Sequence, residues 1–99
     1  MEAKLNIYDY NENGELVVVK TYTCQRLILK VSKKISALIE QMEGKNEDDQ
    51  ENLTIAVIKT IFPTFKDEEF DCIDPIEWLN FVNQINEETN QILNIASKN

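Results

Sequence analysis

Phe62-Pro63-Thr64-Phe65-Lys66-Asp67-Glu68-Glu69-Phe70-Asp71-Cys72-Ile73-Asp74-Pro75-Ile76-Glu77-Trp78 reads as a helix stop, an acidic turn and a helix start. Pro63 cannot continue a helix arriving through Ile58 and Ile61, because proline lacks the N–H and its ring clashes with the preceding turn. Asp67 is placed to cap a short turn bearing Glu68 and Glu69. Asp74 sets a second capping carboxylate directly before Pro75, a residue favoured at the first helical position. The acids therefore have a structural task first. Phe65, Phe70, Ile73 and Trp78 remain as a hydrophobic knot between two longer helices, serving either as domain core or as a surface that holds another apolar chain.

Upstream of the knot, a short helix is expected to begin near Asp49 and to run through Leu53, Ala56, Val57, Ile58 and Ile61. Before it, Thr23 is expected to cap a longer helix. Its apolar positions Leu27, Ile28, Val31, Ile35, Leu38, Ile39 and Met42 recur at three- and four-residue spacing until Gly44. Lys30, Lys33 and Lys34 fall on the outer side of that helix, a solvated face by default. Residues 44–50 form a polar loop. At the start of the chain, Leu5, Ile7 and Asp9 alternate with Asn6, Tyr8 and Tyr10. Asn11-Glu12-Asn13-Gly14 and the β-branched run Leu16 to Tyr22 then complete a hairpin over residues 3–22. Two strands are marginal alone, so one face must pack on helices, and the free edge could also take part in assembly.

Downstream, the last helix is expected to start at Pro75. Ile76, Leu79, Val82, Ile85, Thr89, Ile92 and Ala96 form its apolar stripe, with Trp78 and Phe81 beside it. Asn80, Asn83, Asn86, Asn90 and Asn94 cover much of its exterior with poor helix formers, so the turns after Thr89 are expected to fray or to wait for a partner. The whole is one α+β domain over residues 1–99, predominantly helical, with the N-terminal hairpin packed on about four helices formed by residues 23–99.

The composition limits what such a domain can do. Ninety-nine residues, 42% of them hydrophobic, suit one small core that buries roughly two-thirds of the unfolded surface. No apolar run is long enough to span a bilayer and no signal-peptide pattern opens the chain, so a soluble, intracellular protein is expected. Cys24 and Cys72, far apart and without histidines, fit reduced structural thiols. The net charge of -8 is uneven: residues 1–45 carry seven basic and six acidic side chains, and residues 46–99 carry three and twelve. Such a surface is repelled by nucleic acid and by anionic membranes.

Catalytic chemistry has little to work with. The chain has no histidine, three serines, and two glycines that make no phosphate-binding loop. Asp67 to Asp71 lacks the ligand alternation and loop glycine of a calcium site. No enzyme, cofactor or metal is expected, and binding is the remaining category. Phe62, Phe65, Phe70, Trp78 and Phe81 lie within twenty positions. Aromatic anchors rimmed by charge are the anatomy of a contact surface, and equally of a small core.

The order of elements carries a resemblance. A short hairpin, a long amphipathic helix, a polar loop, a helix ending at Phe62-Pro63, the acidic turn Lys66-Asp67-Glu68-Glu69-Phe70 and a helix opened by Ile73-Asp74-Pro75 together resemble the tail assembly chaperones of long-tailed bacteriophages. The likeness extends from about Leu5 to Leu93. It implies a non-enzymatic protein of the bacterial host cytoplasm that coats the apolar, helical tape measure protein before the tail tube polymerises, and that is absent from the mature virion.

That family often has a longer form made by ribosomal frameshifting, whose extension contacts the tail tube protein. Ser97-Lys98-Asn99 is compatible with a short form. Tyr8, Tyr10 and Tyr22 make the hairpin more aromatic than the family pattern, and its turn is longer. The expected contact residues are Phe65, Phe70, Trp78, Phe81 and Ile85, in a groove between the long helices that takes up a partner helix, with many weak contacts acting by avidity. A homo-oligomer through the first or last helix also fits. The rival reading is an acidic inhibitor or immunity-type protein, which would use the carboxylates of residues 67–77 to occupy a basic site on a nuclease or DNA-binding protein. A structural adaptor of the virion is a third, which would place the protein in purified particles.

Overall fold

The structure, a computed structural model, describes residues 1–97. Two antiparallel strands, β1 (Ala3–Tyr10) and β2 (Leu16–Cys24), are followed by α1 (Leu29–Gln41), α2 (Glu47–Ile61), a 3-10 turn (Asp67–Cys72) and α3 (Pro75–Ser97). The fold is α+β and predominantly helical, as the sequence predicts. The molecule is elongated, 55 × 31 × 22 Å.

Local chemistry accounts for most of the boundaries. At the hairpin turn the Asn11 Oδ1 accepts from the N–H groups of Asn13 and Glu15, each at 2.9 Å, and Gly14 takes a φ of 77° that a side chain would oppose. Asn46 caps α2, its side chain accepting from the Asp49 N–H at 2.8 Å, so this helix starts earlier than Asp49. The helix stops where Pro63 demands: the Phe62 N–H makes the last bond, 2.7 Å to the Ile58 carbonyl. At the head of α3, Asp74 Oδ1 accepts from Ile76 N–H at 2.8 Å and from Glu77 N–H at 3.1 Å, the cap read from the sequence.

Four expectations need correction. Thr23 does not cap α1. It pairs with Lys4 in the ladder, and Cys24 pairs with Ala3, so the hairpin ends at Cys24 rather than at Tyr22. The chain then runs without regular structure to Ile28, an extended cap position with no side-chain hydrogen bond. Leu27, buried in this segment, anchors the crossing in the core. Asp67 does not cap the acidic turn. Its carboxylate pairs with Lys59 at the end of α2, while Glu69 reaches back to the Lys66 N–H at 2.9 Å. Finally, the polar loop expected over 44–50 is shorter, because residues 47–50 already belong to α2. At the other end α3 runs through Ser97, with Thr89 buried and Ile92 packed against the core; Lys98 and Asn99, part of the end expected to fray, lie outside the described residues.

The core explains the elongation. Ala3, Leu5 and Ile7 alternate inward from β1 and meet Tyr22 and Cys24 of β2, so only the base of the hairpin is covered. A bulge between Ile7 and Tyr8 leaves Val19 without a partner in the register. Beyond it Leu16, Val18 and Val19 remain exposed, so the β-branched run that signals the strand is mostly surface. Leu5→Ala is expected to cost about 2–5 kcal/mol in chemical denaturation, the usual range for truncating a fully buried leucine, whereas Val19→Ala is expected within about 0.5 kcal/mol of wild type.

Candidate functional site

A chain of rings links the hairpin to the far helix. Tyr22 lies 5.2 Å from Phe62 and 5.6 Å from Phe65, centroid to centroid. Phe62 touches Phe81 at 5.8 Å, Phe81 stacks on Trp78 at 5.9 Å, and Trp78 meets the edge of Phe70 at 5.9 Å. Tilted and edge-on pairs of this kind each contribute about 0.5–1.5 kcal/mol beyond the area they bury. The aromatic interleaving of the Phe62–Trp78 stretch is thus one continuous packing path, and its two ends differ. Phe62 and Phe65 sit in the interior, whereas Phe70 and Trp78 are only half-buried.

The half-buried end opens into an apolar groove of about 290 Å³ between the three helices. Trp78, Phe81 and Ile85 form its α3 wall at the three- and four-residue spacing that puts them on one side of a helix. Ile35 and Ile39 of α1 and Met42 at its C-terminal cap stand opposite, with Val57 of α2 between. Phe81 and Ile85 are nearly buried and supply the floor, while Ile39, 40% exposed, stands at the rim. The groove is a concave, mostly hydrophobic trough with two polar side chains, Thr54 and Asn86, in its lining.

Of the five expected contact residues the structure therefore brings three together here. Phe70 supports the site from behind, edge-on to Trp78, without lining the groove. Phe65 is 3% exposed beneath Tyr22 and has core packing rather than surface to offer. A groove between the long helices is what the sequence leads one to expect, but Ile35, Ile39, Met42 and Val57 are not among the expected contact residues. Their apolar periodicity marks only an inward side, and which inward residues meet a gap is decided by how the helices cross.

The acidic stretch holds the scaffold rather than the groove. The Tyr22 hydroxyl donates to Glu69 Oε1 at 2.6 Å, and Lys20 lies 3.6 Å from Glu69 Oε2 and 4.8 Å over the Tyr22 ring. Burial alone would raise the Glu69 carboxyl, but the Tyr22 hydroxyl, the Lys66 N–H and the Lys20 charge together hold it below the ordinary glutamate value. Glu77 likewise takes the Asn6 amide at 2.8 Å and the Tyr8 hydroxyl at 2.6 Å, tying α3 to β1. Donation to that carboxylate pushes the Tyr8 hydroxyl above its usual range, and burial does the same first for Tyr22.

Both thiols are free; burial raises the Cys24 thiol, a poor setting for a nucleophile. Among the described residues, no group of three or more His, Cys, Asp or Glu side chains is arranged to hold a metal, and no helix is long and apolar enough to cross a membrane. No family model matches the chain, and no curated protein or solved structure matches it either.

A carboxyl with a lowered folded pKa stabilises the fold above the unfolded glutamate value of 4.5, and that contribution is lost as pH falls through the lower folded value. Glu69→Gln is thus expected to lower stability near neutral pH and to flatten the loss of stability between about pH 5 and pH 3. Thermal melts of both chains across that range check it.

Proposed function

We propose that the protein is a non-enzymatic tail assembly chaperone of a long-tailed phage or prophage, which binds apolar helical segments of the tape measure protein in the α1–α2–α3 groove. The observation that carries the reading is the convergence of Trp78, Phe81 and Ile85 with Ile35, Ile39 and Met42 around one open apolar trough. A helix presents apolar residues at three- and four-residue spacing, and a trough between helices takes such a stripe by burying it. The net charge of -8 would keep a coated apolar chain dispersed. On this reading the protein acts in the host cytoplasm, leaves before the virion is complete, and in a frameshifted longer form would also touch the tail tube protein.

The acidic-inhibitor alternative has less support. Of the six carboxylates between residues 67 and 77, Asp67 pairs with Lys59, Glu69 takes Tyr22 and Lys20, and Glu77 takes Asn6 and Tyr8, which leaves Glu68, Asp71 and Asp74 without a side-chain partner among the described residues. A surface meant to occupy a basic site would keep more of its charge free for the partner.

Co-expression with a tape measure protein tests the proposal. Wild type is expected to keep that protein soluble, and Ile39→Asp, which sets a charge at the half-exposed groove rim, is expected to abolish the rescue while the chain stays folded by circular dichroism. Rescue by both chains would move the site away from the groove, and rescue by neither would contradict the chaperone reading.

A further inference from the structure

We propose that the chain self-associates head to tail: a cleft at the hairpin tip receives the basic, apolar N-terminal end of α1 from a second copy. The contact uses neither the groove nor its occupant, so it can hold or fail independently of the chaperone reading.

The cleft, about 410 Å³, lies between the distal hairpin and the turn that leads into α3. Tyr10 and Leu16 form one wall and Ile73 and Pro75 the other. Tyr10 is 69% exposed and Leu16 58%, so this wall is apolar surface without a cover. Asp9, Asp71 and Asp74 line the same cleft, and no cationic side chain does. None of the three forms an ion pair among the described residues. Asp9 and Asp74 each have one oxygen bonded to backbone N–H groups, which orients the carboxylate and leaves its charge in place. The cleft asks for a segment that offers both cations and aliphatic side chains, and tyrosine faces add attraction for an ammonium or guanidinium.

The other end of the same molecule offers that chemistry. Arg26, Lys30, Lys33 and Lys34, four of the ten basic residues, fall within nine positions. All four are exposed, and among the described residues none is in an ion pair. Ile28 and Leu29, 57% and 40% exposed, lie between them. The tip of β2 at Leu16 and its base at Cys24 are separated by the length of a nine-residue strand, about 25–30 Å, so a chain cannot fill its own cleft. A second copy can. Because the two surfaces differ, each added copy exposes the same pair of surfaces again, and the contact is heterologous and propagates unless it closes into a ring. The groove residues belong to neither surface, so every copy in such an array keeps its groove open.

Sedimentation of the full chain over a concentration series tests the proposal. The expected result is mass that grows past a dimer and an association that weakens by about tenfold when salt rises from about 0.1 to about 1 M, a change that shortens the screening length from about 10 to about 3 Å. Asp9→Lys with Asp71→Lys reverses the cleft, and Lys30→Glu with Lys33→Glu reverses the patch. Each doubly substituted chain alone is expected to remain monomeric, and the two mixed are expected to co-assemble, since each then carries the complement of the other. Wild type that stays monomeric, assembly that survives either reversal, or a mixture that stays dissociated would overturn the proposal. Tyr10→Ala with Leu16→Ser, at exposed positions, gives a charge-neutral second variant, and unchanged self-association in that chain would overturn it equally.

Discussion

Phe62 is the contact on which the rest of the molecule depends. It sits where Pro63 ends α2, and its ring meets Tyr22 of the hairpin on one side and Phe81 of α3 on the other. A helix of ordinary propensity, a two-stranded hairpin that is marginal alone and a polar-coated last helix thereby share one interior. The proline matters because it fixes where the aromatic falls. With α2 stopped at Ile61, Phe62 and Phe65 turn inward together, and Trp78 is left stacked on the outer side of Phe81, where the helices fail to close and the groove opens.

Charge does separate work from packing. The carboxylates nearest the aromatic knot are the means by which it is held: Glu69 and Glu77 each accept a tyrosine hydroxyl from a different strand, and Asp74 fixes the helix that carries Trp78. Among the described residues, the charges outside ion pairs are segregated, with Asp9, Asp71 and Asp74 around the cleft at the hairpin tip and Arg26, Lys30, Lys33 and Lys34 at the start of α1. The apolar trough and the charged ends thus lie on different parts of one small surface, an arrangement that would suit the proposed coating of a long partner.

The fold was legible where short-range chemistry decides it. Pro63, the Asp74-Pro75 pair and the Asn11–Gly14 turn act through backbone geometry within a few residues, and each did what its sequence implies. Thr23 misled because a β-branched hydroxyl residue suits a helix cap and a strand alike, and the choice was made by pairing with Lys4 at the other end of the hairpin. The site was half legible for the same reason. Trp78, Phe81 and Ile85 share a helix, so spacing alone puts them on one side; Ile39, Met42 and Val57 reach the groove through helix crossing, and Phe65 was claimed by Tyr22. The Tyr22–Glu69 and Tyr8–Glu77 bonds join residues 47 and 69 positions apart, a distance over which no periodicity speaks.

The central claim is that the groove binds an apolar helix, and Trp78, the one tryptophan of the chain, lies in its wall. The most direct measurement is a fluorescence titration of the intact protein with a peptide from an apolar helical segment of a tape measure protein, at low and at high salt. Burial of the indole predicts emission that shifts to shorter wavelength and saturates, with an affinity that holds or strengthens as salt rises. An emission spectrum that never moves, or binding that collapses with salt, would contradict the account.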